Sequence, residues 1–338
     1  MKVVALTSGT NVPSARFRIT QHLSSLMGKG IDVLEIPAKH NSTPPKEKRL
    51  IWFILALVDN IIRTIKSRQY DLVIVQKPMI STLYSSESLI RGKYIFDVDD
   101  AVHLNSRLSS VDYIAKNSLA IICGNDYLRG YYLKFNKPVY VVPTAVDHNY
   151  YTPKCSSDDN NDFVIGWSGT SGGFKFLYEI ESSLKIIIDK YPHVKIKIVS
   201  NEEPCFSKIE KSKVIFEKWS KDLEVTQLHS FDVGIMPLAN DNWSLGKCSY
   251  KMLTYMSVGI PVVVSNFGMN KEILEMGTIG FGANTENEWV DSLDSVINMS
   301  VIQRRSLGSN GRIVVMENFS QEIISNKLVE IYRHHCEK

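Results

Sequence analysis

Short apolar, β-branched runs alternate along the chain with longer stretches whose apolar residues recur every three to four positions. In the first half the short runs are 3–6, 32–36, 72–75, 94–96, 120–123 and 139–142. The second half repeats the scheme at 163–167, 195–199, 214–216, 233–236, 261–264 and 279–281. Each is expected to be a strand. The stretches between them predict helices, among them 14–27 with Ser14 as its cap, 174–190, 247–258 and 286–299. Such alternation builds βαβ units around parallel sheets, so the expected class is α/β. Two prolines within 143–153 and the polar stretch 156–162 separate the halves and read as a linker. The expected architecture is a doubly wound, Rossmann-like domain over 1–147, a second over 148–318, and a final segment 319–338. Tandem domains of this kind bind ligand in a cleft at the carboxyl ends of their strands.

Composition narrows the class. Hydrophobic residues make up 44% of the 338, which is enough for a sizeable core and excludes disorder as the main state. The net charge of +3 is too slight to single out nucleic acid as a partner. Cys123, Cys155, Cys205, Cys248 and Cys336 lie far apart with no CxxC, which fits neither a disulfide scaffold nor a structural zinc site. The opening residues run straight into a strand pattern without a cleavable leader, so the expected location is the cytoplasm.

The longest apolar run, 50–58, has nine residues, well short of the ~20 that a spanning helix needs. Lys46, Lys48 and Arg49 precede it, and Arg63, Lys66 and Arg68 follow. One reading is a buried core helix with solvated ends, since Trp52, Leu55 and Ile62 fit one stripe. The other is an interfacial helix that brings the chain to an anionic membrane face.

The densest chemistry lies in 242–265. A helix is expected from about Gly246 to Gly259, with Cys248, Met252, Tyr255 and Met256 as its core stripe. Lys247, Lys251 and Thr254 fall on another face. A helix start presents unpaired amides, and with Lys247, Cys248 and Ser249 there it reads as an anion site suited to a diphosphate.

These residues resemble the nucleotide-sugar site of GT-B glycosyltransferases of family 4. The Tyr255-Met-Ser-Val-Gly-Ile-Pro-Val-Val263 segment matches the end of that family's donor helix and the strand after it. Three further segments fall in the family's order: Ser8-Gly-Thr-Asn11, Val142-Pro-Thr-Ala-Val-Asp147 and Ile165-Gly-Trp-Ser-Gly-Thr170. The resemblance implies donor contacts from Gly9, Thr10, Arg16, Ser168, Gly169 and Thr170, beside Lys247, Cys248, Ser249, Lys251 and Thr254. It also implies a last helix, 320–335, crossing back onto the first domain, a UDP-sugar as substrate, and retention of anomeric configuration. No cofactor is expected. The Gly-Lys-Cys-x-x-Lys variant resembles a branch found in bacterial polysaccharide assembly, which implies a glycan or lipid-linked acceptor. Two departures stand out. The family's paired glutamates are replaced by Gly246 and Thr254, and its Arg-and-Lys pair is missing from the 168–175 loop, leaving Lys247 and Lys251 as the expected replacements.

Asp97, Asp99 and Asp100 stand within four residues, so mutual repulsion favours one held partly protonated. Three readings stay open: a divalent ion on Asp-x-Asp as in the GT-A fold; an Asp orienting the acceptor hydroxyl with His103 touching the sugar; or carboxylates paired with nearby Arg. Two Rossmann-like halves argue against GT-A, so no metal ligand is expected. Arg16 and Arg18, near a helix start that disfavours cations, call for an anionic partner. Candidates are the donor diphosphate, the aspartate cluster, or a phosphate on the acceptor, the alternative being ordinary surface arginines on a helix; Arg18 and Asp97 are placed on the acceptor side. The rival to an enzyme is a catalytically silent nucleotide-sugar-binding subunit.

Overall fold

Twelve strands carry the structure, a computed structural model that describes residues 1–10, 12–42, 44–45, 47–80, 86–90, 93–104, 110–154 and 162–336. Residues 156–161 of the expected linker, together with Asn11, Lys46 and Cys155, lie outside the described residues. Strands β1 (Lys2–Thr7), β2 (Asp32–Pro37), β3 (Leu72–Gln76), β4 (Tyr94–Val98), β5 (Ala120–Cys123) and β6 (Val139–Val141) form one sheet in the order β2-β1-β3-β4-β5-β6. Strands β7 (Phe163–Ser168), β8 (Val194–Ser200), β9 (Val214–Lys218), β10 (Val233–Met236), β11 (Val262–Ser265) and β12 (Gly280–Ala283) form the other, in the order β12-β11-β10-β7-β8-β9. Every pairing in both sheets is parallel. Helices therefore cover both faces, which is why β3, β4 and β5 are buried along their whole length instead of alternating. All twelve strands fall where the apolar runs place them.

The chain divides into two compact units. The first takes Met1–Ala145 and the helix Gln321–Cys336, whose Ile324, Leu328 and Tyr332 enter its core beside Val3, Ile74, Ile95 and Ile122. It also takes Leu245–Cys248, a segment that the sequence assigns to the second domain. The second unit holds Val146–Ser244 and Ser249–Ser320 around Ile165, Ile196, Val233 and Val263, with Leu184, Trp289 and Leu293 from its helices.

Helix boundaries differ more than strands. The 14–27 helix is broken into Pro13–Arg18 and Leu23–Gly28 by a turn at Thr20–His22, and Val12, not Ser14, occupies the capping position. The 174–190 helix breaks at Ile180. The 247–258 helix begins only at Tyr250 and runs to Ser257, because Ser249 adopts a left-handed φ of 51°. Lys247 and Cys248 therefore precede it and share no helix face with Lys251.

The 50–58 run lies in the helix Arg49–Ser67, and its orientation reverses the core reading. Its buried residues are Ala56, Asp59, Asn60, Arg63, Thr64 and Ser67. Leu50, Ile51, Ile54, Leu55, Val58, Ile62 and Ile65 are 46–74% exposed. The polar face is buried because it closes strand ends: Arg63 donates to Thr7 O (2.7 Å) and Ile36 O (2.7 Å), and Asp59 accepts from Lys39 N (3.0 Å). Among the described residues no helix is long and apolar enough to cross a membrane.

Candidate active site

In each sheet the strand order reverses once, between β1 and β3 in the first and between β7 and β10 in the second. Ligands of open α/β sheets gather beyond the carboxyl ends of the strands at such a reversal. Of the two loops singled out in the sequence, the described residues 8–10 follow β1 and 168–170 close and follow β7 at these points.

In the first unit Gly9 sits at φ 139°, a conformation that side chains rarely adopt, and a Cβ there would lie 3.1 Å from Asn41 Oδ1. Its neighbour Ser8 donates through N–H and Oγ to Gln76 Oε1, both at 3.3 Å, tying the loop to β3. Thr10 is exposed. Arg16 is partly buried, with its guanidinium 4.9 Å from the Phe17 ring centre.

Beyond β4 the three aspartates separate by partner. Asp97 is buried and accepts from Arg18 through Nε (3.0 Å) and Nη2 (2.7 Å), while Arg18 Nη1 donates to Val142 O (2.5 Å). Burial alone would lower the Arg18 pKa, but Asp97 outweighs it and holds the guanidinium above its ordinary value. Of the partners open to Arg18 in the sequence, the structure thus supplies the aspartate cluster. Lys77, which the sequence reading missed, ends β3 at φ 61° and reaches Asp99 Oδ1 (2.9 Å) and Asp100 Oδ2 (2.6 Å). Lys247 Nζ stands 3.5 Å from Asp100 Oδ1. Burial pushes the Asp99 carboxyl up despite Lys77, whereas Lys77 and Lys247 overcome burial and hold Asp100 down. Consecutive carboxylates are thereby pushed in opposite directions by their surroundings. Among the described residues no group of three or more His, Cys, Asp or Glu side chains is arranged to hold a metal ion.

His103 is not in this network. It stacks on Tyr131 with ring centres 3.7 Å apart, and burial lowers its pKa.

Segment 245–248 is fastened to the same strand ends. Asn125 caps the helix Asp126–Tyr132 by accepting from Leu128 N (3.0 Å), and its Nδ2 donates to Leu245 O and Lys247 O, both at 3.0 Å. Cys248 is buried and its thiol donates to Asp99 O at 3.1 Å. A Cβ on Gly246 would lie 2.8 Å from Ala101 N, and one on Gly124 would collide with Cys248 Sγ. The family's glutamate at position 246 therefore has no room here.

The second unit holds the rest. Lys251 Nζ lies 5.5 Å from the Trp167 ring, and its stem fills the space that a Cβ on Gly169 would need, 2.5 Å from Cε. Ser168 N–H donates to Tyr255 OH at 2.8 Å, fixing the loop on the helix Tyr250–Ser257. Ser249 Oγ donates to Asn270 Oδ1 at 2.7 Å, and Thr170 is exposed. Thr254 is buried and its hydroxyl donates to Lys251 O at 2.8 Å. Lys247 and Lys251, expected on one face, belong to different units. Asn125 holds the 245–248 segment but left no motif, because it acts through backbone bonds.

Residues 167–299 match the family model "Glycosyl transferases group 1", a stretch that holds Ser168–Thr170 and Lys251. Along its whole length the chain superposes on sucrose-phosphate synthase from Thermosynechococcus elongatus, with a TM-score of 0.73, 15% identity and 99% of each chain covered. The chain has the GT-B fold, and its residues 167–299 match the group 1 glycosyltransferases. A second GT-B neighbour is Anabaena HepE in complex with UDP and glucose, with a TM-score of 0.70, 14% identity, and 99% of this chain and 100% of that one covered. In sequence it is similar to the capsular polysaccharide biosynthesis glycosyltransferase CapM of Staphylococcus aureus, 24% identical over 197 residues, or 55% of this chain. That match spans about half, 50%, of the CapM chain. In this GT-B protein a lysine stands at each sheet reversal, Lys77 directly after β3 in the first unit and Lys251 against Gly169 in the second.

Proposed function

We propose that this chain is a retaining hexosyltransferase, moving glucose or a close relative from a UDP-sugar to a glycan or lipid-linked acceptor in polysaccharide biosynthesis. The observation that carries the reading is Lys251, held by Trp167 and Gly169 at the sheet reversal inside the stretch that matches the group 1 family. A departing UDP develops negative charge, and an ammonium held against Trp167 and Gly169 meets it without reorganisation. That chemistry needs no divalent metal. UDP and glucose in the HepE complex support a nucleotide-sugar donor, and the likeness to CapM supports a polysaccharide product. In this reading Asp99, raised by burial and steadied by Lys77, takes the acceptor proton, and departure and attack occur on one face of the sugar. Peripheral action at the inner membrane face follows if the acceptor is lipid-linked.

The test is UDP release from a panel of UDP-sugars with lipid-linked and free glycan acceptors, with and without a chelator, followed by NMR of the product anomer. Turnover that is lost in chelator and restored by Mn²⁺ removes the metal-free mechanism. A second reading is favoured by one observation: Gly246 has no room for a carboxylate and the Thr254 hydroxyl is committed. This is the catalytically silent subunit, and UDP-sugar binding without turnover on any acceptor would select it.

A further inference from the structure

We infer that the outward face of the helix Arg49–Ser67 is a membrane-docking surface that seats its apolar side chains in the interface of an anionic lipid bilayer. A soluble helix ordinarily turns its apolar stripe inward. Here the stripe turns outward, with Ile51, Ile54, Leu55, Val58, Ile62 and Ile65 at spacings of three and four, while Asp59, Asn60, Arg63 and Thr64 face the sheet. The inward face cannot be exchanged for the outward one. Arg63 holds the carbonyls of Thr7 and Ile36 at the ends of β1 and β2, and Asp59 holds Lys39 N. The exposure is thus built into the fold, and so large an apolar patch on a protein surface marks an interaction site.

Charge chooses the occupant. Lys48 and Arg49 stand exposed at one end of the stripe, and Lys66 and Arg68 at the other. Arg63, counted with them in the sequence, is buried. The one carboxylate within the helix, Asp59, is on the inward face, and Glu47 is the nearest exposed acid before it. Two copies packed through this face would set cationic ends against cationic ends in either direction, whereas an anionic leaflet neutralises all four. Nineteen residues span roughly 28 Å. A helix with one polar face fixed to its own domain lies in the plane of the interface and does not cross it.

The inference concerns a surface apart from the candidate active site, and its test reads binding alone, while UDP release on a soluble acceptor is followed separately. Full-length protein is sedimented with vesicles of phosphatidylcholine containing 30% phosphatidylglycerol, and Trp52 emission is recorded. Wild type should partition onto these vesicles with a blue shift, and half or more should stay bound at 0.5 M NaCl, because apolar insertion survives screening. Ile54→Glu/Val58→Glu should lower the partition at least tenfold, leaving the melting temperature and UDP release on the soluble acceptor unchanged. A melting temperature that falls by more than 5 °C shows that the chain itself covers this face, and overturns the proposal. So does equal recovery of wild type and variant from the vesicles. Sedimentation velocity showing a dimer that the same substitutions dissolve, without vesicle binding, assigns the face to a second copy instead. Binding that 0.5 M NaCl abolishes completely reduces the surface to its cations and refutes insertion.

Discussion

Lys77→Met tests the carboxylate network directly. Lys77 bridges Asp99 at 2.9 Å and Asp100 at 2.6 Å, with side-chain exposures of 16%, 12% and 26% for the three residues. Methionine keeps the stem and removes the charge, leaving two adjacent carboxylates in a poorly solvated loop. Breaking a buried ion pair by deleting one partner costs about 3–5 kcal/mol. Lys247 at 3.5 Å from Asp100, together with that residue's partial exposure, supports the low end, about 3 kcal/mol at pH 7. The pH dependence fixes the cause. Burial already raises Asp99, and loss of Lys77 raises it further. A carboxyl whose folded pKa exceeds its unfolded value destabilises the fold only above that unfolded value, about 3.9, with a slope of up to ~1.4 kcal/mol per pH unit until the folded pKa is passed. The gap between wild type and variant should therefore narrow from pH 7 to pH 5 in urea unfolding. Lys77→Met/Asp99→Asn should recover more than half of the loss, since it removes the repulsion that Lys77 had balanced. A gap below about 1 kcal/mol at pH 7, or one that widens in acid, would refute the argument.

Lys251→Ala should lower turnover at least tenfold with an unchanged melting temperature, since a charge-assisted hydrogen bond contributes about 1.5–3 kcal/mol and ~1.4 kcal/mol is tenfold in rate; steady-state kinetics with UDP-glucose decide it. Gly246→Ala should destabilise by about 1–3 kcal/mol in urea unfolding, because its Cβ meets Ala101; restoring the family's residue as Gly246→Glu should lower UDP release further. His22, buried against Ser325 at 2.8 Å, has its pKa lowered by burial to about 3. The unfolded chain alone binds that proton below pH 6.5, so stability should fall by about 1.4 kcal/mol per unit from pH 6.5 downward, and His22→Gln should flatten that slope.

Most strands were legible because parallel, doubly covered strands are short apolar runs, and the one longer run, 50–58, is set apart by its nine residues. Helix ends were less so. Nothing in Gly246-Lys-Cys-Ser249 forbids a helix, yet Asn125 pulls the carbonyls of Leu245 and Lys247 out of helical pairing. Cys248 meanwhile anchors on Asp99 O, across 149 residues of sequence. Bonds of that range leave no local trace. The aspartate cluster was found by its density, but Lys77, which decides how the cluster is charged, follows β3 as one lysine among many. Its left-handed φ is visible only in the fold.

The helix Arg49–Ser67 shows why periodicity alone misleads. Its apolar spacing is that of any core helix, and the rule that apolar faces turn inward favours the core reading. What overrules it is the polar stripe on the other side, where Asp59, Asn60, Arg63 and Thr64 recur at the same helical spacing. Exposed positions do not need residues that satisfy backbone groups so closely: Arg63 alone serves two strand-end carbonyls and Asn60 Oδ1. Carbonyls at the ends of parallel strands require donors, and a helix laid across them must turn polar residues inward. Position over strand ends thus forces the inversion, and the apolar side, left outside, becomes available to whatever lies against the first unit.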